Sequence, residues 1–232
     1  MISFETLRDL PHREATRRLL DDGWNVCGIG DWATVWRSPD GAQVARVSPF
    51  EPAYEVFVEL CRGLERHPLL PRIDFDAPLG GGGRLTVLEF LLPVDREEAD
   101  AVVERWAAAA PDDPITAVRE QAERLDAEAA RSVPFWGGLD HNPGNVMKNA
   151  SGELKLVDLF YAAGLEIYRV LLEDPARIAE VFPPDRREHL LDIAAVARMS
   201  TPDEIAALRT AAESIGGQPP YRRATSPNAS LR

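Results

Sequence analysis

The stretch that decides the fold is Asp140-His141-Asn142-Pro143-Gly144-Asn145, followed after a predicted hairpin by Leu156-Val157-Asp158. The proline and glycine constrain the first loop and hold its terminal aspartate and asparagine at a fixed spacing. An aspartate, an asparagine and a second aspartate in this arrangement place a base and two Mg²⁺ ligands around one phosphoryl group. The alternative is that each of these residues only forms a turn.

A glycine-rich segment lies upstream, between two predicted strands, in Gly28-Ile29-Gly30-Asp31-Trp32-Ala33-Thr34-Val35. Glycines there let backbone amides approach phosphate oxygens, although a lone glycine turn is also common in ordinary hairpins. Arg46 follows on the next strand, where it either pairs with nucleotide phosphates or is simply solvated. Both features gain meaning only in combination with the loop at 140–145.

The predicted elements divide the chain into two lobes that meet near Pro93, which gives an α+β fold class. The N-terminal lobe, residues 1–92, contains a leading helix, five short strands and one helix over 51–66, with Glu51 and Pro52 in its opening turn. The C-terminal lobe, residues 93–215, is mostly helical, and 133–145 is predicted to be a loop. Residues 216–232 are rich in Gly, Pro, Ser and Arg and are predicted to be disordered.

The composition is that of a folded globular protein, with 45% hydrophobic and 28% charged residues among 232. A net charge of −12 disfavours nucleic acid as a partner and favours encounter with cations such as amino-sugars or basic peptides. Two cysteines give no disulfide framework. The N-terminal residues lack a signal-peptide pattern, and no apolar run is long enough for a membrane span, so we expect a cytoplasmic protein without a membrane partner.

In this order and with these gaps, the motifs resemble those of the protein-kinase-like superfamily, most closely its aminoglycoside phosphotransferases and small bacterial kinases. The resemblance covers residues 23–173. It implies a two-lobed protein-kinase-like fold with a small antiparallel-sheet N-terminal lobe and a compact helical C-terminal lobe. It also implies ATP and Mg²⁺ as cofactors.

The resemblance assigns the nucleotide site to the N-terminal lobe. It matches four residues to the glycine-rich loop, with the tryptophan at the tip and the alanine in place of the third glycine: Gly28, Gly30, Trp32 and Ala33. Arg46 stands where most kinases have lysine and would clamp the α and β phosphates. Leu88-Glu89-Phe90-Leu91-Leu92 is similar to the hinge strand, whose backbone holds adenine, which places Glu89 and Leu91 in the nucleotide site.

The resemblance likewise assigns the chemistry to the C-terminal lobe. Asp140 would accept or orient the proton of the acceptor hydroxyl, and Asn145 and Asp158 would hold Mg²⁺. We expect Glu59, rather than Glu55 one turn earlier, to pair with Arg46, because His67-Pro68-Leu69-Leu70 resembles the segment that follows this helix in kinases. The alternatives are that Glu55 forms the pair or that both carboxylates are solvated.

The sequence also departs from the protein-kinase pattern. Gly138 replaces the usual histidine, Asp158 is not followed by Phe-Gly, and no Ala-Pro-Glu segment follows. A long activation loop is therefore not expected, which favours transfer to a hydroxyl of a small molecule over a protein substrate. The alternatives are a compact serine/threonine protein kinase, for which Thr225 or Ser226 after an arginine pair is a candidate autophosphorylation site, and a nucleotide-binding regulator without turnover.

Overall fold

The structure is a computed structural model, and it describes residues 2–108 and 110–216. The predicted disordered tail and the candidate phosphorylation sites Thr225 and Ser226 lie outside the described residues, apart from Gly216. The predicted α+β class is confirmed: a five-stranded antiparallel sheet in the N-terminal part precedes a mostly helical C-terminal part. The exact lobe boundaries stay a prediction.

The N-terminal part begins with a 3₁₀ turn at Phe4–Leu7 and ends in a short strand. Its elements are α1 (His12–Asp21), β1 (Asn25–Ile29), β2 (Thr34–Arg37), β3 (Gln43–Ser48), α2 (Tyr54–Gly63), β4 (Ile73–Pro78), β5 (Arg84–Glu89) and β6 (Leu92–Pro93). The sheet order is β1-β2-β3-β5-β4, so that β3 is the central strand, and its burial reflects this position.

The C-terminal part contains seven helices and four short strands in the described region. They are α3 (Arg96–Ala108), α4 (Pro114–Ser132), β7 (Trp136–Leu139), β8 (Val146–Lys148), β9 (Leu154–Leu156), β10 (Phe160–Ala162), α5 (Gly164–Glu173), α6 (Pro175–Val181), α7 (Pro184–Arg187), α8 (Ala194–Met199) and α9 (Pro202–Ser214). β7 pairs with β10, and β6, β8 and β9 form a three-stranded sheet. No helix in the described ranges is both long and apolar enough to cross a membrane.

Three large apolar clusters hold these elements together. The first packs α2 against α3, α4 and the strands around the loop at 140–145. Helix α2 therefore belongs to the core of the C-terminal part as much as to the sheet. The second joins Phe50, just after β3, to α5, α6, α8 and α9. The third lies between α1 and the sheet. The two parts therefore share buried side chains on both sides of the cleft between them.

The turn between β4 and β5 docks directly onto the C-terminal part. Gly82 has a φ of 96°, and a Cβ at this position would lie 1.9 Å from the carbonyl oxygen of Arg186. A side chain at Gly81 would meet the ring of His189. Only glycine fits at these positions, because the backbones approach too closely for a side chain and take a left-handed conformation.

Beside this contact, two buried histidines share one carboxylate. His12 of α1 and His189 stack edge to face with ring centroids 4.5 Å apart, and their nearest nitrogens lie 3.6 and 3.2 Å from Oδ2 of Asp192. Arg13 donates to the same oxygen at 2.7 Å. Burial and the neighbouring charges of His189 and Arg13 lower the pKa of His12 to about 4, against the opposing effect of Asp192.

The low pKa of His12 predicts that the folded state loses stability in mild acid. The unfolded chain protonates His12 near pH 6.5 and the folded chain only near pH 4, so the unfolded state binds more protons between these values. We expect the free energy of unfolding to fall by about 3 kcal/mol as the pH drops through this window. His12→Gln should flatten this pH dependence in urea titrations, whereas His141→Gln, outside the cluster, should not. A parallel fall for wild type and His12→Gln would contradict the prediction.

Candidate active site

The loop over 140–145, which we call the candidate catalytic loop or, for short, the catalytic loop, is built from local hydrogen bonds. β7 delivers Asp140, whose backbone amide donates to the carbonyl of Leu159 at 2.8 Å. Its carboxylate accepts from the amide of Asn142 at 3.0 Å, and the side chain of Asn142 accepts in turn from Gly144 at 2.9 Å. These two turns lead into a 3₁₀ turn that ends at Asn145. Asx turns of this kind follow from sequence alone and fix the loop without tertiary help.

The hairpin of β8 and β9 returns the chain to the loop and brings Asp158 beside Asn145. The side chain of Asn145 donates from Nδ2 to the carbonyl of Asp158 at 3.1 Å, and the Val157 amide donates to the carbonyl of Asn145 at 2.8 Å. Asp158 has a φ of 50°, a left-handed conformation that a short polar residue tolerates at some cost. The three residues predicted from sequence therefore lie together.

Arg46 lies beneath them on β3 and is 92% buried. Its Nη1 lies 2.6 Å from Oε2 of Glu51, and its Nη2 lies 3.9 Å from Oδ1 of Asp158. The guanidinium carbon is 3.7 Å from the ring centroid of Tyr54, a cation–π geometry. Burial of a charged group requires such partners, and here two carboxylates and one aromatic ring supply them.

The prediction that Glu59 pairs with Arg46 is wrong, because the structure places Glu51 beside Arg46 instead. Glu59 is exposed, and Glu55 is exposed with its carboxylate 3.5 Å from Arg84. Helix α2 begins at Tyr54 rather than at residue 51, so Glu51 precedes the helix and also accepts from the amides of Ala53 and Tyr54. The sequence signal was available, since an acid just before the first turn is typical of a helix start.

The centre of the site carries more negative than positive charge. Glu51, Asp140 and Asp158 lie around Arg46, three carboxylates to one guanidinium. Burial of Asp158 raises the pKa of its carboxyl, and the charges of Glu51 and Asp140 raise it further, while Arg46 opposes this. Its side chain nevertheless stays 48% exposed and has no hydrogen-bond partner among the described residues. The arrangement attracts a cation to this point.

The glycine-rich loop lines the cleft on one side, and its tip is bonded to helix α8 on the opposite side. Gly30 donates to Ala33 at 2.9 Å, which closes the turn. Asp31 accepts at its carbonyl from the amide of Ala195 at 3.1 Å, and its carboxylate pairs with Arg198. Arg198 also donates to the carbonyl of Gly30 at 3.1 Å. We call this set of contacts between Asp31, Ala195 and Arg198 the front clasp.

Trp32 supports the clasp from inside. Its ring packs on Phe50, with centroids 6.2 Å apart, and a Cβ at Gly164 would lie 2.9 Å from the indole. The tryptophan therefore joins the loop to the cluster formed by α5, α6, α8 and α9. Sequence reasoning placed Trp32 at the tip of the loop but did not find its contacts, which come from Phe50 after β3 and from Gly164 at the start of α5.

The predicted hinge lies outside the cleft. Both the amide and the carboxylate of Glu89 are bonded to the backbone of Arg72, at 3.2 and 2.8 Å. Leu91 is buried, and its amide has no hydrogen-bond partner in the described region. It closes a small apolar cluster between the sheet and the C-terminal strands, together with Val35, Val44, Leu88, Met147 and Val157.

A cleft of about 910 Å³ connects the main elements of the site. Seven of the residues predicted from sequence line it: Gly30, Trp32, Ala33, Arg46, Asp140, Asn145 and Asp158. Gly28, Glu59, Glu89 and Leu91 do not line it. The lining also includes Glu51, Tyr54 and Arg198, which the sequence analysis did not identify.

Comparisons with known proteins give distant likenesses only. No protein-family model and no curated protein match the chain. Among solved structures, it is similar to a chain of the CAK complex from Chaetomium thermophilum bound to ATP-gamma-S, with 14% identity over 93% of this chain and 79% of that one and a TM-score of 0.37. The PknI kinase domain of Mycobacterium tuberculosis is 17% identical over 83% of this chain and 95% of that one, with a TM-score of 0.30.

A third similar structure is the MAP kinase LmaMPK10 from Leishmania major, 11% identical over 91% of this chain and 76% of that one, with a TM-score of 0.32. Two of these three structures are described as kinases. Because these TM-scores are low, we base the proposed function on the residues of the cleft.

The Arg46–Glu51 pair predicts a clear difference between two glutamates. Glu51→Gln leaves a buried guanidinium without its nearest charge, so we expect a loss of about 3 kcal/mol in the free energy of unfolding. Glu59→Gln, at an exposed position, should change it by less than about 0.5 kcal/mol. Urea unfolding at pH 7 measures both. Equal losses would show that Glu51 is not the structural partner of Arg46.

Proposed function

We propose that the protein transfers a phosphoryl group from ATP, with Mg²⁺, to a hydroxyl group of a small molecule, as a phosphotransferase related to the aminoglycoside-phosphotransferase type of kinase. The observation that carries this proposal is the meeting of Asp140, Asn145 and Asp158 in one cleft beside the buried Arg46. Phosphoryl transfer needs these elements and little else, because its catalysis is mainly positioning and charge neutralisation.

The donor set at Asn145 and Asp158 fits Mg²⁺, which prefers oxygen ligands. Asn145 uses its amide nitrogen to bond the backbone of Asp158, which leaves its side-chain oxygen without a partner in the described region. The Asp158 carboxylate is likewise without a hydrogen bond there. Bound Mg²⁺ would neutralise charge on the phosphates, and these two side chains would hold it.

The surroundings support ATP as the donor. Arg46 offers a fixed guanidinium for phosphate oxygens, and Gly30 and Ala33 keep the loop above it short and close. Val35, which packs against the apolar cluster at Leu91, lines the cleft and offers an apolar surface to the base. We assign Trp32 and Arg46, which line the cleft, to the phosphate end. Only the family resemblance assigns Gly28, Glu89 and Leu91 to the base end, since none of the three lines the cleft.

Asp140 is the group that we assign to the acceptor. Its carboxylate lines the cleft while its backbone is fixed by Leu159, so it can take the proton of an attacking hydroxyl without moving. The front clasp favours a small acceptor, because Asp31 and Arg198 bridge the two walls where an extended protein segment would have to lie.

Two isosteric substitutions test the reaction. Asp140→Asn should lower the rate of ATP-dependent transfer by about 10²–10⁴-fold with little change in nucleotide affinity, since this group acts on the acceptor. Asp158→Asn keeps a residue that tolerates φ of 50° but removes a charged ligand, so both turnover and Mg²⁺-dependent nucleotide binding should fall.

The measurement is ADP release from the full chain against a panel of hydroxyl compounds and a basic protein, alongside calorimetric binding of Mg²⁺-ATP. Asp112→Asn, an exposed aspartate far from the cleft, is the matched control and should behave as wild type. Binding of nucleotide without turnover in every assay would favour a regulator. Preferential transfer to the protein would favour a protein kinase.

A further inference from the structure

The cleft extends well past the phosphoryl-transfer centre. Beyond Asp140 and Asp158 it continues between the glycine-rich loop and three C-terminal elements, α5, α8 and α9. The volume of about 910 Å³ is at the upper end of what a small-molecule site occupies. The extension and Asp140 line the same cleft, so an acceptor bound in the extension shares that space with Asp140.

Exposed apolar side chains concentrate on this extension. In the described part of the chain eight large hydrophobic residues are exposed, and five of the eight line the cleft: Ile29, Tyr161, Leu165, Leu172 and Met199. Leu165 and Met199 are the most exposed of all, at 71% and 61%. Scattered exposed hydrophobic residues are ordinary, but a contiguous apolar wall in a concave site marks a binding surface.

The wall is assembled from elements distant in sequence. Leu165 and Leu172 lie seven positions apart on α5 and so share a helix face. Tyr161 comes from β10, Met199 from α8 and Ile29 from the glycine-rich loop. The burial of one helix face therefore cannot explain the wall, because four separate elements direct apolar side chains into the same space.

The charged side chains on this wall already have partners. Arg169 pairs with Glu166 and Glu173, and Arg198 pairs with Asp31. The Glu204 carboxylate accepts from the amide of Thr201 at 2.7 Å as part of a helix cap. Each carboxylate on the extension already has an ion-pair or helix-cap partner in the described region, so the ammonium group of a cationic acceptor would have to share it with that partner. The net charge of the chain had suggested a cationic acceptor.

We propose that the acceptor is an uncharged alcohol or phenol whose body is alkyl or aromatic, bound against Tyr161, Leu165 and Met199 with its hydroxyl at Asp140. The inference rests on the proposed function. The hydroxyl oxygen forms a bond to the γ-phosphorus of ATP, the bond from that phosphorus to the bridging oxygen breaks, and ADP leaves. The hydroxyl proton passes to the Asp140 carboxylate.

The kinetic test compares acceptors that differ only in their bodies. With ATP fixed, transfer is measured to ethanol, 1-butanol, 1-hexanol and 1-octanol, and to 6-amino-1-hexanol as the cationic match of 1-hexanol. We expect kcat/KM to rise about threefold to fourfold for each added methylene until the wall is covered. We also expect 1-hexanol to exceed its amino analogue by at least about tenfold. A flat series, or faster transfer to 6-amino-1-hexanol or to a basic protein, would overturn the inference.

Substitutions at matched exposure locate the effect. Leu165→Glu and Met199→Glu should each lower the ratio of kcat/KM for 1-octanol to that for ethanol by about tenfold or more. Leu20→Glu, at an exposed leucine on α1 outside the cleft, should leave this ratio unchanged. If Leu20→Glu lowers the ratio as much as the cleft variants do, the wall is not the acceptor site.

A binding measurement separates this inference from the proposed function. The chain has three methionines, so methyl-labelled methionine gives few NMR signals, and Met199 can be assigned with Met199→Leu. 1-Octanol should shift the Met199 signal saturably, 8-amino-1-octanol should not, and Leu165→Glu should remove the shift. A shift without ATP turnover would support the apolar site and count against the phosphotransferase. Turnover without a shift would support the phosphotransferase and overturn the apolar acceptor.

Discussion

The buried guanidinium of Arg46 is the interaction on which the rest of the structure depends. An unpaired charge in this position would cost several kcal/mol, so the chain must bring carboxylates to it from elsewhere. Glu51 arrives from the turn before α2, and Asp158 arrives from the hairpin that follows the catalytic loop. Tyr54 covers one face of the guanidinium. The central strand, the start of α2 and the catalytic loop are thereby held in one arrangement.

The same arrangement prepares the site for charge. Asp158 is fixed in a left-handed conformation by the bonds of its neighbours, and its carboxylate remains without a hydrogen bond in the described region. Strain of this kind persists only where the surrounding structure over-determines it. The site therefore holds, before any ligand binds, an orientation that the cation and the phosphoryl group of the proposed function can use.

The elements of the fold were predicted well, and the partners of several site residues were not. The five short strands of the N-terminal lobe were predicted from short segments separated by turn signals, and the Asx turns of the catalytic loop follow from residue type. Strand β7, which pairs with β10, was predicted as part of a loop, because the glycines of Trp136–Leu139 obscure a strand. Most of β10 lies in a region that was predicted to be helical. Glu51 was placed inside a helix that begins at Tyr54, and the partners of Asp31 lie more than 160 positions away.

The absence of side chains at Gly81 and Gly82 gives the two edges of the cleft different kinds of contact. These glycines bring the β4–β5 turn into contact with residues 186–189. This edge, which we call the rear, is therefore held by close packing. The front is closed by the half-exposed ion pair of Asp31 and Arg198, by hydrogen bonds to two backbone carbonyls and by the packing of Trp32. Exposed charges are screened over about 10 Å at 0.1 M salt. We therefore expect rising ionic strength to weaken the ion pair at the front more than the close packing of the glycine turn at the rear.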